Sequence, residues 1–226
     1  MPANSNRIAI WNRRHLRVRS WAALAWLLVL VICFVALSDS LGTPTLTDFD
    51  SRLRASIDAW RGGGLDRLML SLTVFGGWGM TAIALTAILG LWFAHHHLEA
   101  VLVLLATAGA MRLNVILKYW IDRPRPDESL IYLISGTRFA SFPSGHTMGA
   151  LATLGSLMLV AQRLGAPVWT QWLGWLLCGL IIAGIAISRI YLGAHFPTDV
   201  LGGLLASIAW LFVVTGNLER HTKAEV

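Results

Sequence analysis

Hydrophobic residues fall in six long runs along the chain, and polar residues collect in the intervals between them. The runs cover residues 21–38, 68–94, 98–118, 147–162, 169–188 and 198–215. Each is close to the length an α-helix needs, at about 1.5 Å per residue, to cross a hydrocarbon core of roughly 30 Å. The pattern predicts an all-α fold: an integral membrane six-helix bundle formed by residues 21–215, with a polar N-terminal tail over 1–20 and a C-terminal tail over 216–226. The first run, with charges ahead of it, also suits a cleaved signal peptide. It is long, however, and ends in Ser38-Asp39-Ser40 without a small-x-small cleavage site, so it reads as a retained first span.

The intervals add detail. Gly42, Pro44 and Gly62 to Gly64 interrupt the polar stretch 39–66, and within it Phe49, Leu53, Ile57 and Trp60 recur at helical spacing. This predicts a short amphipathic helix, read as a packing helix with a solvated charged face rather than one lying in the interface. Gly76, Gly77 and Gly79 in the second run permit close helix contact or a bend. His95, His96 and His97 are adjacent and cannot all face one ion from a helix, so they read as a short cytoplasmic turn and no metal site is expected. Arg112 and Asn114 lie inside the third run, where a cation is costly and a substrate role or pairing within the bundle must be weighed.

Composition agrees with a membrane class. With 56% of its 226 residues hydrophobic and 13% charged, the chain carries more apolar surface than a soluble domain of this length can hide. The net charge of +6 does not point to nucleic acid, because Arg7, Arg13, Arg14, Arg17 and Arg19 crowd ahead of the first span. Those arginines place the N-terminus in the cytoplasm, and six crossings return the C-terminus there. Arg52, Arg54, Arg61, Arg67, Arg123 and Arg138 then fall on the outer side, against the usual bias. Trp21, Trp60, Trp78, Trp92, Trp120, Trp169 and Trp172 sit near span ends, as an interfacial belt would. Cys33 and Cys178 lie within apolar runs and imply no disulfide framework.

Three polar clusters, all on the outer side in this topology, carry the candidate chemistry. The first runs from Lys118 through Arg125 to Pro126, with Pro124 and Pro126 stiffening the chain between its cations. Arginine and lysine suit phosphate oxygens, although a basic interface flank would look similar. The second, Pro143-Ser144-Gly145-His146, leads into an apolar helix. Ser144 suits the N-cap, the first-turn N–H groups make an anion seat, and Gly145 lets an oxyanion approach. His146 is a candidate proton donor; an ordinary capped helix with an interfacial histidine is the alternative. The third cluster holds Ser188, Arg189, His195 and Asp199. Pro197 suits the first helical position, so Asp199 falls near the third and can fold back to hold one ring nitrogen of His195. That would leave the other nitrogen free to attack phosphorus, whereas a purely structural His–Asp pair would share the geometry.

In this order the clusters resemble the tripartite signature of the type 2 phosphatidic acid phosphatase family: lysine, six residues, Arg-Pro; Pro-Ser-Gly-His; Ser-Arg, five residues, His, three residues, Asp. Lys118, Arg125, Pro126, Pro143 to His146, Ser188, Arg189, His195 and Asp199 match every position. The resemblance implies a metal-independent membrane phosphatase without a cofactor. His195 would form a phosphohistidine, Asp199 would orient it, and His146 would protonate the leaving group and then activate water. Lys118, Arg125, Ser144, Gly145 and Arg189 would bind phosphate. It also implies a bacterial inner membrane and a periplasmic active site.

The implied substrate is a lipid phosphate or diphosphate in the bilayer: undecaprenyl diphosphate, phosphatidylglycerol phosphate or phosphatidic acid. A lipid A phosphatase or a lipid phosphotransferase would use the same site, and no protein partner is expected. Vanadium-dependent haloperoxidases resemble the three motifs but are soluble. An anion or lipid transporter is the reading from another class, and the chain shows no convincing internal repeat to support it. Arg112, Asn114, Tyr119, Arg123 and Arg138 are candidates to shape a head-group pocket.

Overall fold

The computed structural model describes the backbone of residues 5–126 and 140–221, and side chains within 21–126 and 140–216. Eight α-helices make up the described residues. Helix α1 spans Ser5–Asp39 and α2 spans Pro44–Asp58. Helix α3 (Gly63–Val74) continues through a single π-helical turn, Phe75–Gly79, into α4 (Met80–Phe93). The others are α5 (His97–Ile121), α6 (Gly145–Arg163), α7 (Val168–Tyr191) and α8 (Pro197–His221). The first helix begins well ahead of residue 21, so the expected polar tail is helical from Ser5 onward; its arginine side chains and that of Arg138 lie outside the described residues.

Among the described residues, five segments are long and apolar enough to cross a membrane: Trp21–Asp39, Gly63–Phe93, His97–Ile121, Val168–Tyr191 and Pro197–Gly216. The remaining expected span, 147–162, falls on α6, which is not among them. The reason lies in its packing. Helix α6 is enclosed by α4, α5, α7 and α8. Its buried positions are largely small or polar, among them Ala150, Ala152, Thr153, Gly155 and Ser156. A helix that meets protein rather than lipid gains from close approach of backbones and needs little apolar bulk. Hydroxyls in this packing are satisfied by main-chain carbonyls: Ser156 Oγ donates to the Thr153 carbonyl at 2.9 Å within the helix, and Ser207 of α8 donates across to the Met148 carbonyl at 3.0 Å. Outward faces of the other helices carry exposed tryptophan, leucine and isoleucine, as a bilayer solvent requires.

Helix α2 starts with Pro44 at its first turn and packs against α7 and α8. It buries Ile57 and, less expectedly, Asp50, while Phe49 and Leu53 of the anticipated apolar face are exposed. The glycines of the second run do both things expected of them. They form the π turn, and Gly77 brings the backbone against His146: a Cβ there would lie 3.2 Å from the ring Nε2. Helix α5 ends in a left-handed residue, Asp122 (φ 42°), whose N–H still donates to the Lys118 carbonyl at 3.0 Å. Aspartate tolerates this conformation better than most side chains, and it turns the chain sharply into Arg123-Pro124-Arg125-Pro126.

Candidate active site

The third cluster is assembled by the junction of α7 and α8. Beyond Tyr191 the chain folds back so that the N–H groups of Ala194 and His195 both donate to the Arg189 carbonyl, at 3.0 and 3.2 Å. Helix α8 then begins at Pro197, and Asp199 occupies its third position. The Oδ2 of Asp199 reaches back to the Phe196 N–H at 2.8 Å and lies 3.3 Å from His195 Nδ1. An ionised carboxylate only accepts, so neutral His195 keeps its proton on Nδ1 and its lone pair on Nε2. The ring is 2% exposed. Burial pushes its pKa down to about 4, against the pull of the Asp199 carboxylate, and Arg189 and Lys118 push the same way as burial. The imidazole therefore rests neutral.

The second cluster packs onto this junction. Ser144 precedes the first helical residue of α6 and has extended backbone angles, but its hydroxyl makes no capping bond. Instead it accepts from Thr147 Oγ1 at 3.0 Å, while the Ser144 N–H donates to the Asp199 carbonyl at 2.9 Å. The first-turn N–H groups at Gly145, His146 and Thr147 have no acceptor within the helix, as at any helix start. Asn114 secures the loop from α5, donating from Nδ2 to the Pro143 carbonyl at 3.0 Å. Gly145 is constrained by that contact, since a Cβ there would lie 3.0 Å from Asn114 Oδ1.

The first cluster arrives from the end of α5. Lys118 Nζ donates to the carbonyls of Ala140 and, at 3.1 Å, Ser141. The Ser141 N–H in turn donates to the Arg123 carbonyl at 2.7 Å, so the two ends of the connection between α5 and α6 are fastened together. Burial lowers the Arg125 guanidinium from its ordinary value, partly offset by Asp199; at neutral pH it stays charged. Lys118, Arg125, Arg189, both histidines and Asp199 thus lie within electrostatic range of one another.

Four of these residues, Arg125, Gly145, His146 and Arg189, share the wall of one cavity of about 800 Å³. Leu70, Val74, Trp78, Leu85, Ile88, Leu104 and Met111 of α3, α4, α5 and the π turn supply much of the rest. Arg189 is 3% exposed; its Nη1 donates to Thr73 Oγ1 at 2.5 Å, and its Nε–H has no hydrogen-bond partner among the described residues. A buried guanidinium with a spare donor in a cavity wall is suited to an anion. Among the described residues no group of three His, Cys, Asp or Glu side chains is arranged to hold a metal ion.

The sequence reading missed Thr73, which accepts from Arg189, and Asp50 and Thr198, which both accept from Arg123, the residue that donates to Asp199. Four of its five candidates to shape a head-group pocket are described. Arg112 and Tyr119 are exposed on α5 and are not in the cavity wall, so they do not shape a pocket there. Asn114 and Arg123 are turned to the Pro143 carbonyl and to Asp199 respectively, each held by hydrogen bonds within the protein.

The geometry has a counterpart in known proteins. The PAP2 superfamily model matches residues 99–223, which covers all three clusters and more than half of the chain. The chain belongs to the PAP2 superfamily. Among PAP2 relatives, the phosphatidylglycerophosphatase B of Bacillus subtilis is 30% identical over 193 residues, 84% of this chain and 94% of that protein. The undecaprenyl-diphosphatase of the same organism is 34% identical over 110 residues, 47% of this chain and 51% of that one. The crystal structure of a transmembrane PAP2-type phosphatidylglycerolphosphate phosphatase from B. subtilis matches with a TM-score of 0.76 at 28% identity, covering 86% of this chain and 96% of that one. By membership this is a PAP2-type, multi-pass membrane phosphatase, and its relatives act on lipid phosphates.

Proposed function

We propose that the protein hydrolyses the terminal phosphate of a membrane lipid through a phosphohistidine on His195. The observation that carries this reading is the mixed cavity: Arg125, Arg189, His146 and the start of α6 at one part of its wall, apolar side chains of membrane-crossing helices over much of the remainder. Its volume of about 800 Å³ suits one amphiphilic ligand. The phosphate would lie against the cations and the acyl or prenyl chain against Leu70, Leu85, Ile88 and Leu104.

In the first step His195 Nε2 attacks phosphorus and the bond from phosphorus to the lipid oxygen breaks. That oxygen takes a proton from His146. In the second step water attacks phosphorus as its proton passes to His146, and inorganic phosphate leaves with His195 restored. Asp199 holds Nδ1–H throughout and balances the positive charge that the ring acquires. Lys118, Arg125, Arg189, Ser144 and Gly145 would hold the phosphoryl oxygens, the role a magnesium ion plays in other phosphoryl-transfer sites. Three fixed cations are enough charge for this without a metal.

Six crossings, with α6 as the fourth and packed among α4, α5, α7 and α8, and both termini in the cytoplasm would put the site at the periplasmic surface. Phosphatidylglycerol phosphate is the substrate favoured by the relative that matches nearly end to end; undecaprenyl diphosphate and phosphatidic acid share the required chemistry. The test is phosphate release by detergent-purified protein from each lipid in the presence of EDTA. Turnover that survives the chelator is expected, and release that requires added divalent metal would overturn the reading.

A further inference from the structure

Both oxygens of the Asp199 carboxylate are occupied. Oδ2 serves His195 and the Phe196 N–H, and Oδ1 accepts from Arg123 Nη1 at 2.7 Å. The guanidinium of Arg123 lies over the Phe196 ring, 4.2 Å from its centroid. Its other terminal nitrogen, Nη2, donates to Asp50 Oδ2 at 2.7 Å. Asp50 belongs to α2, at a sequence distance of 148 residues from Thr198, and is 1% exposed. It accepts the Thr198 N–H at 2.9 Å on Oδ1 and the Thr198 hydroxyl at 2.6 Å on Oδ2. The Thr198 hydroxyl oxygen also accepts from Arg123 Nη1 at 2.7 Å, which closes a ring of Asp50, Arg123, Thr198 and Asp199.

We propose that Asp50 and Arg123 are positioning residues for the catalytic pair: α2 holds Arg123, and Arg123 locks the Asp199 carboxylate in the orientation that presents Oδ2 to His195. This rests on the reading of His195 and Asp199 given above. The physical argument has three parts. Burying a carboxylate is costly unless its lone pairs are used, and Asp50, unlike Asp48 of the same helix, is buried. A carboxylate held on one oxygen only can rotate and exchange the two. The planar fork of arginine, fixed at both ends and stacked on Phe196, removes that freedom. Finally, Asp50 supplies in trans an acceptor for an N–H in the first turn of α8, so α2 and the start of α8 move as one body.

Charge gives the arrangement its signature. Two carboxylates share one guanidinium, so the ring carries a net negative charge beside His195. The other groups that act on His195 are Arg189 of α7, Lys118 of α5 and His146 of α6. These stay constant when the ring is altered. Asp50→Asn removes one negative charge and should make His195 harder to protonate, moving the acid limb of kcat/KM to lower pH. Arg123→Gln removes the positive charge and should move the same limb to higher pH. Arg123→Lys keeps the charge but cannot span both carboxylates, so the limb should stay while kcat falls.

The experiment compares these variants with wild type and Asp199→Asn, using phosphatidylglycerol phosphate in detergent micelles, with folding checked by circular dichroism and gel filtration. A fall in kcat of about tenfold or more for Arg123→Lys, with KM within about twofold, is expected from a small misplacement of the carboxylate. The limbs of Asp50→Asn and Arg123→Gln should move in opposite directions. Thr198→Val, which deletes one hydroxyl, replaces any variant that does not fold and should lower kcat at least about threefold. Wild-type kcat in Asp50→Asn and Arg123→Lys, or limbs that do not move, would overturn the proposal. If Asp199→Asn itself turns over normally, the reading of the catalytic pair fails; if only Asp199→Asn is impaired, that reading stands and the Asp50–Arg123 inference alone fails.

Discussion

The backbone N–H of Ser144 donates to the backbone carbonyl of Asp199 at 2.9 Å, so the loop that starts α6 is bonded directly to the first turn of α8. The proposed acid, His146, and the proposed nucleophile, His195, are thereby fixed relative to each other through main chain. Gly203 sits at this crossing: a Cβ there would lie 2.9 Å from the Ser144 carbonyl oxygen, a backbone atom that cannot swing aside. Gly203→Ala should therefore separate the two helix starts. Overpacking of this kind costs about 1–3 kcal/mol. Thermal unfolding in detergent should fall by several degrees and kcat should drop more than tenfold; a variant with wild-type kcat would show that the crossing does not set the catalytic geometry.

The pH dependence follows from His195. Its pKa lies near 4 in the folded protein, below the ordinary 6.5. Attack needs the neutral ring, so kcat/KM should hold from neutrality down to about pH 5 and fall only towards pH 4. Burial, and after it the Arg189 guanidinium, pushes His146 down as well, to about 3, so it should take up the proton it donates only once the phosphate is bound beside it, and a basic limb should appear in kcat rather than in kcat/KM. Stability should follow the same sign: the unfolded chain binds this proton more readily, so the contribution of neutral His195 is full above about 6.5 and is lost as pH falls towards 4. An acid limb at 6.5 in the pH–rate profile would contradict the burial argument.

Thr73 orients Arg189. Thr73→Val removes the acceptor of the 2.5 Å bond from Nη1 and leaves a second nitrogen of a buried guanidinium without a partner. Losing a hydrogen bond to a charged group costs about 1.5–3 kcal/mol. Because phosphate itself can take up the freed donor, the effect should fall mainly on KM for the lipid, raised several-fold, with kcat reduced less. Steady-state kinetics separates the two, and an unchanged KM would remove Thr73 from the site.

Gly77 sets the position of His146. A Cβ at residue 77 would sit 3.2 Å from His146 Nε2, closer than ordinary contact, and the ring would have to give way by a few tenths of an ångström. Gly77→Ala should lower kcat several-fold with KM little changed, while Gly64→Ala, where nothing lies within 4 Å of the added Cβ, should be without effect on kcat. Equal kcat in the two variants would mean that His146 tolerates displacement.

What the sequence made legible, and what it did not, follows from distance along the chain. The pairing of His195 with Asp199 is local, one helical turn across a helix start, and Pro197 marks that start; the Oδ2 contacts with Nδ1 and the Phe196 N–H have the geometry such a start dictates. Five spans were visible because lipid-facing helices must be apolar along their length. Helix α6 was legible as a hydrophobic run too, but a short one, since it faces other helices and its buried positions are largely small or hydroxyl residues. Asp50 was not legible. Its partners Arg123 and Thr198 lie 73 and 148 residues away, and nothing in the local pattern of α2 separates it from Asp48 or Asp58. Thr73 was hidden for the same reason, 116 residues from Arg189. Ser144 shows the limit of a local rule: it occupies the N-cap position, yet Thr147 takes its hydroxyl and no capping bond forms.

The most direct measurement is acid-sensitive trapping of phosphate on the enzyme. Protein mixed with lipid bearing a radiolabelled terminal phosphate is quenched in alkali within milliseconds, and the label is located by peptide mapping. A phosphohistidine, stable to alkali and released by acid, is expected on the peptide that contains His195 and absent from His195→Ala. Lipid hydrolysis by His195→Ala at a rate near that of wild type, or label on any other residue, would contradict the assignment of His195 as the nucleophile.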